Sequence, residues 1–475
     1  MAEEQQLIKL GDDHQVIQIT NHPDKPDTFI CQVDSAWSKK GDEVSVEKLR
    51  QRVEPWLTAL FQSEHLNLLI GAGLSTSIQL SATGLLPAGM GWISDLRLLQ
   101  AEVDTFATKA AKKAGRSMGN IEDQVRAINE LIKGLEILTV LNSPLPVNPP
   151  PPNPPYRDLI TELKDLKAEL SRSLKTFADS VSAGEHEIKQ AEPQRKTDTF
   201  NYLVSFLMSF ASRTATRDRL HIFTTNYDRI IEVGAELAGL RLIDRFVGSI
   251  APVFRSSRLE VDYHYNPPGI RGEPRYLEGV ARFTKLHGSL DWLEVEGDIR
   301  RLGLPFGAKT AAPFLEAEGC GEDGFQQLMI YPNSIKDRET SEYPYVELFR
   351  DLAAASCRPN STLVTYGYSF GDEHINRVIE DMLTVPSTHL VIIAFGDPLN
   401  RVIDFVTSSG RHAQITLLMG NHLGDLKTLV DHYLPKPAID RTSIKMADLL
   451  KQRGFLRQEE KAELSPGAGV NGVEL

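Results

Sequence analysis

The stretch Phe223-Thr224-Thr225-Asn226-Tyr227-Asp228 sets the reading of the whole chain. It continues an apolar β-type run, Leu220-His221-Ile222-Phe223, and leads into an amphipathic helical pattern, Arg229-Ile230-Ile231-Glu232-Val233-Gly234-Ala235. An amide and a carboxylate two residues apart, just past a strand end, fit a ligand-binding turn of an α/β sheet. Asn226 and Asp228 are therefore candidates for the lining of a catalytic pocket, and Asp228 could equally cap the helix that follows.

Further segments repeat the strand, turn, helix pattern. Leu66-Asn67-Leu68-Leu69-Ile70 reads as a buried strand ending in Gly71-Ala72-Gly73-Leu74-Ser75-Thr76. Glycines at 71 and 73 let the backbone approach a phosphate, and a helix N-terminus behind them would offer N–H groups and partial positive charge. Thr76 stands where the third glycine of a dinucleotide fingerprint belongs, so a tight structural turn is the competing reading. Ala281-Arg282-Phe283-Thr284-Lys285-Leu286 runs into His287-Gly288-Ser289, and Ser361-Thr362-Leu363-Val364-Thr365-Tyr366 into Gly367-Tyr368-Ser369-Phe370-Gly371-Asp372. Strands are also expected at 328–331, 390–395 and 414–419, with a helix from Tyr345 to about Ser356. The expected fold class is α/β: a doubly wound, Rossmann-like parallel sheet with a large helical insertion. In such sheets the carboxyl ends of the strands share one edge, which gathers the turns at Gly71, Asn226, His287 and Gly367.

Composition narrows the function. Of 475 residues, 41% are hydrophobic and 24% charged, the profile of a soluble globular protein with ample core. A net charge of −12 disfavours a broad nucleic-acid surface, which needs clustered Lys and Arg. No apolar run approaches the roughly 18–20 residues that cross a bilayer. The polar start Met1-Ala2-Glu3-Glu4-Gln5-Gln6 does not read as a signal peptide, so a cytoplasmic protein is expected, with no membrane contact. Cys31, Cys320 and Cys357 stand far apart, without metal-ligand spacing, so neither zinc nor another metal is expected.

Five regions are expected. Residues 1–45 form an N-terminal segment, a small hairpin or an assembly arm; 46–100 hold the first part of the nucleotide-binding domain, beginning with a helix over 46–62. Residues 101–200 are the helical insertion, read as a lid or an oligomer contact. Eight prolines between 144 and 155 make its loop a polyproline spacer or, as the alternative, an SH3-type ligand. Residues 201–435 complete the catalytic domain, and 436–475 form a C-terminal helix and a mobile tail. Asp372 reads as the cap of the helix containing Ile375 and Val378, and His264, His374 and His389 as surface or packing residues.

In this order the segments resemble the sirtuin superfamily, in particular the bacterial sirtuin-like NAD-cleaving effectors of antiphage defence. Gly71-Ala72-Gly73-Leu74-Ser75 resembles the GAG-x-S loop, and Thr225-Asn226-Tyr227-Asp228 a shortened T-x-N-x-D element. His287-Gly288 resembles the catalytic HG element, and Gly367-Tyr368-Ser369-Phe370-Gly371-Asp372 the GYSF-x-D motif. The likeness runs from about residue 60 to 425 and leaves the insertion unexplained. Two departures count against acyl-lysine chemistry: the four-cysteine zinc module is missing, and Ser77-Ile78-Gln79-Leu80 replaces the G-I-P-D-F-R continuation of the GAG loop. Asp95 and Arg97 could stand in for its Asp and Arg, at a longer spacing.

The resemblance implies NAD as substrate, with its pyrophosphate on Gly71, Ala72, Gly73 and Ser75 and with Thr225 in contact. The nicotinamide riboside would lie near the catalytic Asn226, His287 and Asp228, and the adenosine side near Gly367 and Ser369. The implied function is NAD glycohydrolysis that depletes cellular NAD in abortive infection, controlled by oligomer or partner assembly. Implied partners are a homo-oligomer and a HerA/FtsK-type ATPase, or alternatively an Argonaute-like protein; the chain has no P-loop of its own. Competing expectations are a non-catalytic NAD- or ADP-ribose-sensing module and a protein ADP-ribosyltransferase or deacylase.

Overall fold

The computed structural model describes residues 5–87, 91–93, 96, 99–113, 119–140, 159–213, 217–256, 262–265, 275–320, 324–328, 343–397 and 399–436. The proline-rich loop at 144–155, Asp95, Arg97 and the tail beyond 454 lie outside them. Contacts divide the chain into a unit of residues 1–435 and a unit of residues 436–475.

The unit opens with four short strands, β1 (Gln5–Lys9), β2 (Ile17–Asn21), β3 (Thr28–Cys31) and β4 (Glu43–Ser45), followed by helix α1 (Val46–Phe61). Ser45 starts α1 by accepting the Lys48 N–H, and Leu49, Val53, Leu57 and Phe61 bury one face at helical spacing. Next come β5 (His65–Ile70) and α2 (Ala72–Thr83), which begins directly behind Gly71 and ends at a left-handed Gly84. Helices α3 (Gln100–Lys113), α4 (Ile121–Val140) and α5 (Leu159–Gln190) form the insertion, and α6 (Pro193–Ala211) returns to the sheet. Then follow β6 (His221–Thr224), α7 (Ile230–Leu237), β7 (Arg241–Ile243), β8 (Phe246–Val247), β9 (Val253–Phe254), β10 (His264–Tyr265), β11 (Arg275–Tyr276) and β12 (Val280–Lys285). β13 (Trp292–Val295) and β14 (Asp298–Arg301) build a small sheet with β8 and β9. β15 (Ser361–Tyr366), β16 (His389–Ala394) and β17 (Ile415–Met419) alternate with the helices Glu373–Leu383 and Arg401–Ser408.

The main sheet has eleven strands in the order β4-β3-β2-β1-β17-β16-β15-β5-β6-β12-β7. From β17 to β7 every pairing is parallel, while β1 joins β17 antiparallel and β1 to β4 pair antiparallel in succession. From β5 the chain moves outward on one side to β6 and β12, then returns on the other with β15, β16 and β17. The order reverses between β5 and β15, the place where open α/β sheets take their ligands.

Both faces of the sheet are covered. In β16, Leu390 and Ile392 enter one core while Val391 and Ile393 enter the other. Such near-continuous apolar strands are what a parallel sheet between two helix layers demands. The insertion has its own core, in which Val125, Ile128, Leu166, Leu170, Leu174 and Phe177 pack with Tyr227 and Leu290 of the sheet unit.

One sequence expectation changes. The N-terminal hairpin is no separate arm, since β1 adds it to the edge of the main sheet. Of the strand expected at 328–331, Leu328 forms a bridge with Leu293, and 329–331 lie outside the described residues. The helix expected from Tyr345 covers Tyr345–Ser356 as read.

Candidate active site

Strand register gathers the motifs. Tyr366, Ile70, Thr224 and Lys285, the last residues of β15, β5, β6 and β12, stand level across the sheet. Gly367, Gly71 and Thr225 therefore leave the sheet on one line, with His287 two residues past Lys285. Gly71, Ala72, Gly73, Ser75, Thr225, Asn226, Asp228, His287, Gly367 and Ser369 all line a single cleft of about 1090 Å³.

The paired glycines have a packing reason. A Cβ on Gly73 would sit 2.6 Å from Cα of Gly367, and one on Gly71 only 2.4 Å from the Gly367 carbonyl oxygen. The Gly73 N–H donates to that oxygen at 3.0 Å, so the turns after β5 and β15 are joined backbone to backbone. Gly367 itself has a φ of +61°, and Phe370 one of +53°. This second left-handed residue is held by Asn376, whose Nδ2 donates to the Phe370 carbonyl at 2.9 Å.

Asn226 is fixed from the same place. Its Nδ2 donates to the Gly71 carbonyl at 3.0 Å and to Ser75 Oγ at 2.9 Å. A carbonyl can only accept, which settles the orientation of the amide. Ser75 Oγ in turn donates a hydrogen bond to Asp228 Oδ2 at 2.5 Å, and Asp228 Oδ1 accepts the Ile230 N–H at 3.1 Å. Asp228, one residue before the N-cap Arg229, thus holds the first N–H of α7 and the Ser75 hydroxyl at once. Asn226 Oδ1 receives no hydrogen bond from a described residue and can hold a water or a hydroxyl.

The carboxyl end of β12 supplies His287, whose Nε2 lies 3.0 Å from Asp372 Oδ2. Behind the Asn226 turn, Lys285 is buried, its Nζ donating to the Asp228 carbonyl at 2.5 Å and to Glu232 at 2.9 Å. Burial raises the Glu232 carboxyl above its usual range, against the opposing charge of Lys285. Burial likewise pushes the Tyr227 phenol well above its ordinary value, so this neighbour of the site stays neutral.

The insertion forms the outer wall through Phe106, Arg126, Phe177 and Glu185. Its firmest tie is Glu185, 1% exposed, which accepts the Arg229 backbone N–H at 2.8 Å and pairs with the Arg229 guanidinium. Arg229 also donates to the carbonyls of Leu304 and Pro305. One ion pair therefore joins α5, the residue after Asp228 and the loop past β14. Burial raises the Glu185 carboxyl, with Arg229 opposing.

Asp372, the Ser75 bridge, Glu185 and Arg401, which also lines the cleft, were not legible as site residues. For Asp372 the sequence signal was a helix cap, and the cap is present. Among the described residues no group of three or more His, Cys, Asp and Glu side chains is arranged to hold a metal ion, and no helix is long and apolar enough to cross a membrane.

A search of curated proteins finds no match to this chain. The family model of the SIR2-like domain matches residues 220–408, a span that begins after the Gly71 turn and the insertion. Over that span, which carries Asn226, Asp228, His287, Gly367, Ser369 and Asp372, the chain is similar to a SIR2-like domain, a kind of domain that uses NAD.

Proposed function

We infer that the protein is an NAD glycohydrolase, releasing nicotinamide and ADP-ribose. The observation that carries this reading is the convergence of Asn226 and His287 on one cleft, at the switch point of a sheet with a SIR2-like match. The bond to be broken joins a cationic pyridinium to the ribose anomeric carbon. Its electron pair leaves with nicotinamide, which is neutral, so the leaving group needs no acid. The ribose needs stabilisation as an oxocarbenium-like species, together with a placed nucleophile.

This chain can supply both. Asn226, locked through Nδ2, offers Oδ1 to a water or ribose hydroxyl without adding charge. His287 accepts the proton released as the water oxygen bonds to the anomeric carbon. Asp228 contributes negative charge beside the developing cation. Pyrophosphate is assigned to the turn of Gly71, Ala72, Gly73 and Ser75 with Thr225, and the adenosine side to Gly367 and Ser369.

The wider role is proposed on the resemblance to the sirtuin-like effectors of antiphage defence. An enzyme that consumes NAD without return must be held inactive, and depletion on demand suits antiphage defence by abortive infection. The control is assigned to assembly: a homo-oligomer and a HerA/FtsK-type ATPase, with an Argonaute-like protein as the alternative partner. The insertion, tied to the site through Glu185 and Arg229, is the element through which assembly would act.

The test is product analysis. The protein, with whatever copurifies from the cells that express it, is incubated with NAD and its products are separated. One nicotinamide and one free ADP-ribose per NAD consumed is the expected result. Intact NAD would overturn the reading, and ADP-ribose attached to protein would replace it with transfer.

A further inference from the structure

His287 is held at one nitrogen. Its Nε2 faces Asp372 Oδ2 at 3.0 Å, and no described residue forms a hydrogen bond with Nδ1. Asp372 is itself fixed. Its Oδ1 accepts the N–H groups of His374 at 2.9 Å and Ile375 at 3.3 Å, capping the helix Glu373–Leu383, so Oδ2 alone is turned to the imidazole. The Tyr227 and Phe349 rings, each centred 6.5 Å from the imidazole, confine the ring from other elements. Asp372 is 5% exposed and lines the same cleft.

We propose that Asp372 is the positioning residue of His287, fixing the Nε2–H tautomer so that Nδ1 is the nitrogen that accepts the proton of the attacking water or hydroxyl. An ionised carboxylate can only accept, so the ring proton must sit on Nε2 and the lone pair on Nδ1. When Nδ1 takes a proton, the imidazolium keeps its Nε2–H on the carboxylate, which offsets the new charge. Charge and atoms balance. The water oxygen bonds to the anomeric carbon, one water proton goes to Nδ1, and the C–N electron pair leaves with nicotinamide. The imidazolium then returns its proton to solvent. One carboxylate so serves two ends, the start of a helix and the state of a base.

This inference rests on the NAD-cleaving reading for its substrate, though not for its geometry. Asp372→Asn separates the two roles. Asparagine is as good an N-cap as aspartate, so the helix start is kept with the amide oxygen on His374 and Ile375. The amide NH₂ then faces Nε2, which must accept, and the ring proton moves to Nδ1. Where a catalytic histidine loses its tautomer in this way, turnover falls by about 10⁴.

The experiment compares full-length wild type and Asp372→Asn, labelled with ¹⁵N-histidine, the His287 signals being assigned by their loss in His287→Gln. The expected result is an Nε2–H ring in wild type and an Nδ1–H ring in the variant. Turnover of NAD should fall about 10³–10⁴-fold with KM changed by less than about threefold. Asp372→Asn with the wild-type tautomer, or with wild-type turnover, overturns the proposal. A tautomer switch in a protein that leaves NAD intact upholds the positioning role and overturns the substrate reading instead.

Discussion

Replacing Arg229 by Met should expose how tightly the insertion is bound to the site. Arg229 and Glu185 are 6% and 1% exposed, and both are embedded in hydrogen bonds from three segments. Removing the guanidinium leaves Glu185, among the described residues, with the N–H groups of Arg229 and Gly307, at 2.8 and 3.4 Å. Breaking a buried pair from one side costs about 3–5 kcal/mol, because a charge is left without compensation. At roughly 2 °C per kcal/mol or somewhat less for a unit this large, Tm should drop by about 5–10 °C. The pH dependence has a definite sign. Burial already raises the folded-state value of Glu185, and loss of Arg229 raises it further. A raised folded value gives stability that is present below the unfolded value and lost as pH rises through the folded one. The gap between wild type and Arg229→Met should therefore be wide near pH 8 and narrow towards about pH 5. Thermal unfolding across that range is the assay, with Glu185→Gln and the double variant completing a cycle. The double variant should lose less than the sum of the single ones, by about 1–3 kcal/mol. Additive losses, or a gap that does not narrow in acid, would refute the reasoning.

Other expectations concern the turns and the buried histidines. Gly73→Ala should cost about 1–3 kcal/mol and lower NAD cleavage, since its Cβ would meet Gly367 Cα at 2.6 Å. Gly396→Ala, with no atom within 4 Å, should stay within about 0.5 kcal/mol of wild type by thermal unfolding. Burial lowers His389 and His422 to about 4, so their contribution is present above the ordinary histidine value of about 6.5 and lost as pH falls through about 4. Tm should decline across that window, and less steeply in His389→Gln/His422→Gln.

Much of the parallel sheet was legible because its strands are apolar on both faces and end in glycine or polar turns. β5, β6, β15, β16 and β17 are of this kind, while β12 is apolar on one face, with Ala281 and Phe283 in a core and Arg282 and Thr284 on the other. β1 was not legible, because Gln-Gln-Leu-Ile-Lys reads as a polar start. Its Gln6 and Lys9 are nevertheless fully buried. Gln6 Oε1 accepts the N–H groups of His422 and Leu423, and Lys9 Nζ donates to the carbonyls of His412 and Ile415. Partners some 400 residues away leave no local pattern. The site divides in the same way. Asn226, His287 and the glycines follow from strand ends, whereas the bonds from Ser75 to Asp228, Asp372 to His287 and Glu185 to Arg229 join distant segments. Such pairings depend on register and topology, which no window of sequence contains.

The most direct measurement is nicotinamide release from NAD by wild type, Asn226→Ala and His287→Ala, each purified with its copurifying components, alongside NAD binding by the same three proteins. The account predicts release by wild type, a loss of about 10²-fold or more in both variants, and binding retained in all three. Binding by all three with no release by wild type would contradict it, leaving a protein that recognises NAD without cleaving it.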